Sequence, residues 1–375
     1  ASIYVDKDGN NSIVVVPAAN QECDIEYLQK NDMSIQECDY VILQMEIPYD
    51  SIRYAIKRAK ELGKIVILNP APAPECISDE MLKDVDVLVY DIQDIGCRSF
   101  TYISTMGLAM EAAAENGKEF IVLDRPNPVG GLKVEGNLVE DDCISFVSQF
   151  KIPYLYGLTC GELALMLNGE KMLTDGAQCN LHVVKMKGWK RKMDYTQTGL
   201  QWVPSSPHIP HSHSAYFYPV SGILGEFGYM SIGVGYTIPF QMFAAPWVEA
   251  ERLAKNLNDL HVPGVVFRPI YLKPFYSVGK GELLQGVQVH LMDYSKAPLS
   301  DIQFLVMQEV AALYPDRAVF DHADKGRFNM FDKVCGSKQI RERFAKRNRW
   351  EDIRDYWYKD VEDFRKLSKQ YYLYK

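Results

Sequence analysis

Among the eight cysteines of this chain there is no CxxC pair and no CxxC…HxxxH arrangement, so no zinc site is expected and no metal ligand is assigned. No uninterrupted apolar run is long enough to span a bilayer, which leaves no transmembrane segment to place. Basic residues are not gathered into a long run. With 41 Lys and Arg against 49 Asp and Glu, the formal net charge is -8, which removes the electrostatic footprint of a nucleic-acid binder. The one local basic patch, KMKGWKRK at 185–192, reads as a solvated loop or strand edge. The opening residues, ASIYVDKDGNNS, lack a charged region followed by an apolar one, so no export signal is expected. Unpaired cysteines in apolar surroundings add to that expectation of a reducing, cytoplasmic setting.

What is present is a globular composition, 47% hydrophobic, enough for two or three packed domains. Residues 12–17 (SIVVVP) and 38–48 (CDYVILQMEIP) are β-branched runs ending at proline, read as strands buried on both faces. Between them and a third strand at 64–69 lies 49–63, YDSIRYAIKRAKELG. Its Ile52, Ala55, Ile56, Ala59 and Leu62 fall on one helical face. A helix start at 78–83, a strand at 85–90, a helix at 107–116, a strand at 120–123 and a helix at 160–167 continue the alternation. The expectation is an α/β fold, a Rossmann-like parallel sheet with helices on both faces. A smaller C-terminal α/β domain follows, opening with the amphipathic segment WVEAERLAKNLN and continuing in the strands VVFRPIYL and GVQVHL. The expected division is 1–83, 84–244 and 245–375.

Such sheets bind ligands at the carboxyl ends of their strands, and three such places are crowded with polar groups. Asp91, Gln93, Asp94 and Arg98 follow VDVLVY; Asp124, Arg125 and Asn127 follow FIVL; Glu135 comes shortly beyond, in KVEG. Glycosidic cleavage requires one carboxyl group to protonate or position the leaving oxygen and another to stabilise oxocarbenium-like charge. Arginine and asparagine donors suit the carboxylate and acetamido groups of a sugar. Asp124 beside Arg125 equally fits an ion pair that orients a loop.

The ordered strings DIQDIG (91–96), Arg98 with TYISTMG (101–107), DRPNP (124–128), VEG (134–136) and GLTCGELA (157–164) resemble the exo-β-N-acetylmuramidase (NamZ) family. The likeness covers about 78–375, through SPHIP, GVGYTIPFQ, FRPIY, LQGVQVH and the terminal YYLY. It implies an exo-acting glycosidase that releases N-acetylmuramic acid from the non-reducing ends of peptidoglycan fragments, with no metal or organic cofactor, and an extracytoplasmic setting opposite to the one composition suggests. By the same resemblance Glu135 is one of two catalytic glutamates, and Asp91, Gln93, Arg98, Arg125 and Asn127 line the pocket for an amino sugar. Asp94 and Asp124 join them as substrate-binding candidates. His208, in SPHIP, is a subsite candidate or a satisfied histidine of a Pro-rich loop. Where most members read Glu-Gly-Arg-Gly, this chain has Ile232, Gly233, Val234 and Gly235.

Residues 1–83 depart from that family. Nothing in them reads SPEHG, the motif of the other catalytic glutamate. GNNSIVVVPAAN, ILQMEIP and ILNPAPA resemble instead the middle of ribokinase-type sugar kinases, so the chain reads as chimeric. That family's sugar-binding N-terminus and its glycine-alanine-glycine-aspartate motif are both missing, so phosphoryl transfer is not expected. Glu46 ends the strand YVILQME and is the candidate second carboxylate. Three functions are thus on the page: a hydrolase using Glu135 and Glu46, an inactive amino-sugar-binding protein, and a ribokinase-like transferase.

Overall fold

The segment 49–61 carries the alternation into structure: it is a helix, Tyr49–Glu61, whose buried residues are Ser51, Ile52, Ala55, Ile56 and Ala59. That is one stripe at helical spacing, laid against a sheet. The protein is described here by a computed structural model covering residues 2–5, 11–14, 18–45, 47–69 and 85–375. Glu46 and the helix expected at 78–83 lie outside the described residues.

Two compact units divide the chain: Ala1–Leu88 with Asn116–Glu119, and Val89–Glu115 with Phe120–Lys375. In the first, β1 (Ser2–Val5) pairs antiparallel with β2 (Asn11–Val14), where the sequence led us to expect a parallel buried strand. Strands β3 (Tyr40–Gln44) and β4 (Ile65–Asn69) pair in parallel, Tyr40 opposite Ile65 and Gln44 opposite Asn69. The helix Tyr49–Glu61 connects them, a βαβ unit. Leu43 packs on Ile52, Ala55 and Ile56, with Val41, Val66 and Leu68 beside it. The alternate residues Tyr40, Ile42, Ile65 and Ile67 are exposed, so these strands are covered on one face and not on both.

Strands β5 (Val87–Tyr90), β6 (Glu119–Leu123) and β7 (Asn180–Val184) form a sheet in that order. Helices Tyr102–Glu115 and Cys160–Gly169 lie between them in sequence, as the α/β reading expects. A second sheet, β8 (Met242–Ala245), β9 (Val265–Leu272) and β10 (Leu284–Leu291), is antiparallel with β10 in the centre. The helix Ala250–Asp259 turns Leu253, Ala254 and Leu257 into the core. One apolar cluster runs from Ile95, Cys97, Tyr154 and Leu155 through the helix Ser214–Gly225 to Phe304, Phe344 and Trp357 of the C-terminal helices. Each fully buried aromatic of this kind contributes on the order of 2–3 kcal/mol. The segment from Trp350 forms two helices, Glu351–Trp357 and Val361–Ser368.

The helix Ser214–Gly225 contains Pro219. Proline cannot donate within a helix and obstructs the preceding turn. In the turn that follows, Gln303 inserts between backbone groups: its Oε1 accepts from the amides of Ile223 and Leu224 while its Nε2 donates to the carbonyl of Pro219. No helix of the described residues is long and apolar enough to cross a membrane.

Candidate functional site

Strand β5 ends at Tyr90 and β6 at Leu123, and the loops that follow them line a small cleft. Gln93, Asp94 and Gly96 come from the first loop, Arg125, Pro126 and Asn127 from the second. A third wall, Tyr156, Leu158, Thr159 and Cys160, is the entry into the helix Cys160–Gly169. Leu155 brings that wall in, because it bridges both Cys97 and Glu135.

Asp94 is 3% exposed. Its Oδ2 accepts from the hydroxyl of Tyr156 at 2.6 Å and the amide of Gly96 at 2.7 Å, while its Oδ1 has no hydrogen-bond partner. Burial pushes its carboxyl up to about 6, against the lowering effect of those two donors. Gly96 sits at φ +78, and a Cβ there would lie 2.2 Å from Oδ1 of Asn127. Only glycine permits that approach. Asn127, itself buried, donates to the carbonyl of Leu158 and accepts from the amide of Val129. Gln93 donates to the carbonyls of Asp94 and Pro126, stitching the first loop to the second.

Arg125 presents its guanidinium at the cleft and pairs with Asp91 at 2.7 Å, both side chains being more than a third exposed. Such a pair contributes little to stability, so Arg125 is available to an anion. The Cys160 thiol is held well above its ordinary range by burial, so it stays protonated and is no nucleophile.

The other expected residues lie elsewhere. Asp124, 8% exposed, accepts from Thr159 Oγ1, the amides of Gly161 and Arg125, and the hydroxyl of Tyr374. Burial raises its carboxyl above the usual range. Arg98, 1% exposed, donates to Ser148 Oγ and to the carbonyls of Asn137, Ile152 and Val334, all outside the cleft lining. Glu135, 6% exposed, accepts from the amides of Leu299 and Ser300 and from Ser300 Oγ, where the helix Asp301–Leu313 begins. Its field adds to burial in raising the carboxyl of neighbouring Asp301. His208 meets the hydroxyl of Tyr276 at 3.0 Å, and burial lowers its pKa. The structure thus gathers Gln93, Asp94, Arg125 and Asn127 at one cleft with Asp91 paired beside them.

Tyr156, Thr159 and Cys160 were not anticipated there. Thr159 had a signal: with Glu162 it forms a capping box, the T-x-x-E pattern that opens a helix. Tyr156 had none, since only the pairing of Leu155 places it under Asp94. Among the described residues, no group of His, Cys, Asp and Glu is arranged to hold a metal ion.

Fold and cleft define an α/β protein with a small cleft at its strand ends, furnished with carboxyl, amide and guanidinium groups. The chain belongs to the NamZ family: residues 71–213 match the model "Exo-beta-N-acetylmuramidase NamZ, N-terminal" and residues 216–374 its C-terminal counterpart. It is 41% identical over 295 residues, 79% of this chain and 69% of the other, to the peptidoglycan beta-N-acetylmuramidase NamZ of Bacillus subtilis. A crystal structure of a DUF1343 family protein from Bacteroides fragilis is similar at a TM-score of 0.79 and 67% identity, covering 94% of this chain and 98% of that one. The kinase likeness is partial. A bifunctional ribokinase/ribose-5-phosphate isomerase A of Fructilactobacillus sanfranciscensis is 43% identical over 88 residues, 24% of this chain but 16% of that protein.

Proposed function

We propose that the protein is an exo-acting glycoside hydrolase that releases N-acetylmuramic acid from the non-reducing ends of peptidoglycan fragments. What supports the reading most is the match of both NamZ family models along 71–374, together with a 41% identical relative named for that activity. The cleft suits the substrate chemically. On this reading the half-exposed Arg125 guanidinium pairs with the lactyl carboxylate, and Oε1 of Gln93 and the unpartnered Oδ1 of Asp94 take hydroxyl and acetamido groups. Neither an inactive sugar binder nor a kinase is favoured by these relatives, and the kinase match is confined to 24% of this chain and 16% of the other.

The role of Glu135 as a catalytic carboxylate rests on the family resemblance, and that of Glu46 on its place at the end of the run YVILQME in the sequence. A folded Glu135→Gln protein is expected to lose turnover; retained turnover removes Glu135 from the mechanism. End selectivity tests the reading as a whole. Free N-acetylmuramic acid is expected from a disaccharide carrying that sugar at its non-reducing end, and none from the disaccharide of reversed order. Release from both, or from neither, overturns exo-muramidase activity.

A further inference from the structure

The last five residues, Tyr371 to Lys375, return to the back of the cleft walls. The hydroxyl of Tyr374 donates to Oδ2 of Asp124 at 2.6 Å and accepts from the amide of Met186 at 3.0 Å. Its ring stands edge-on to Trp189, centroids 5.0 Å apart. The amide of Leu373 donates to Glu162, which is also ion-paired with buried Arg191 at 2.7 Å. Arg191 stacks under the ring of Tyr372 and donates its own amide to the carbonyl of Lys375.

Through Asp124 this C-terminal strap reaches residues that line the cleft. Its two oxygens take four donors: the Arg125 amide and the Gly161 amide on Oδ1, Thr159 Oγ1 and the Tyr374 hydroxyl on Oδ2. Arg125 and Thr159 line the cleft, and Asp124 fixes both. Three of the donors lie within 37 positions of Asp124, whereas Tyr374 is 250 positions away. A buried carboxylate keeps its orientation only while its donors are in place. We propose that Tyr374 is a positioning residue of the cleft, which through Asp124 sets the placement of Arg125 and Thr159 and so the affinity for an anionic sugar. The part concerning the sugar rests on the hydrolase reading above; the part concerning Asp124 does not.

The test compares the full chain with Tyr374→Phe, which keeps the ring against Trp189 and removes only the hydroxyl, and with Tyr371→Phe, whose hydroxyl bonds exposed Glu170 at 2.6 Å away from the cleft. Two readouts are taken well below the melting temperature: amide hydrogen exchange, and KM for para-nitrophenyl N-acetylmuramide. In Tyr374→Phe the Arg125 and Gly161 amides are expected to exchange about ten-fold faster, the size of one lost hydrogen bond to a charged group, with the helix Asp301–Leu313 unchanged. KM is expected to rise about ten-fold, because a displaced binding group weakens substrate placement. Tyr371→Phe is expected to match the parent in both. Partial unfolding lowers the active fraction without moving KM, so a fall in rate at unchanged KM overturns the proposal. So does an exchange map identical to the parent's, or one raised uniformly. If the parent itself does not turn over, the hydrolase reading fails, and exchange at Arg125 and Gly161 alone decides the strap.

Discussion

Replacing Arg98 with methionine separates a residue that binds sugar from one that holds the fold. Its guanidinium, 1% exposed, has no carboxylate partner among the described residues and is lowered by burial to about 10. It spends its donors on Ser148 Oγ and three backbone carbonyls, one of them Val334, at the end of the helix Phe328–Cys335. Methionine has a similar apolar stem and no donors. Leaving a buried acceptor unmade costs about 1–3 kcal/mol. Three carbonyls at the low end of that range give about 3 kcal/mol, reduced somewhat because a buried charge is also removed. Urea unfolding of Arg98→Met followed by far-UV circular dichroism is expected to show that loss of stability as a lower midpoint at unchanged slope, the midpoint shift times the slope giving the free energy. KM for a muramide substrate is expected to stay at the parent value, because the guanidinium is outside the cleft lining. A loss below about 1 kcal/mol, or a KM raised ten-fold in the folded variant, refutes this reasoning and returns Arg98 to the binding site.

Asp94 gives a pH signature. Its folded pKa, about 6, stands above the 3.8 of the exposed group, so its contribution favours folding below pH 4 and is lost as pH rises through 6. The difference of about two units corresponds to about 3 kcal/mol. Stability of the parent relative to Asp94→Asn, measured by denaturant unfolding at pH 4 and pH 7.5, is expected to fall by that order between the two; an unchanged difference contradicts the burial argument. Gly96→Ala is expected to destabilise by about 1–3 kcal/mol and to abolish turnover, since φ +78 and the contact with Asn127 both resist a methyl group. A thermal melt and an activity assay at the parent's level would refute it.

Much of the fold was legible because two helices, Tyr49–Glu61 and Ala250–Asp259, carry a complete apolar stripe, and β4, β5 and β6 are β-branched runs. The helix Ser214–Gly225 was not legible. Local rules disfavour Pro219 there, and the side chain that bonds the turn after it, Gln303, is 84 positions away. In the site, the loops after β5 and β6 meet at the cleft, where Gln93, Asp94, Arg125 and Asn127 line it and Arg98 and Asp124 do not. Motif membership did not say which way each one points. Cys97 pairs with Leu155, which turns Arg98 inward to backbone carbonyls, and the same Leu155 delivers Tyr156 to Asp94 from a segment with no polar density. Long-range pairing of that kind is not written in local spacing.

The central claim is tested most directly by chromophore release from para-nitrophenyl N-acetylmuramide by the parent chain and by Arg125→Ala. The account predicts steady release by the parent and a KM raised at least ten-fold in the variant, with the loss of a charged contact to the sugar's carboxylate. A folded parent that releases nothing from this substrate contradicts it.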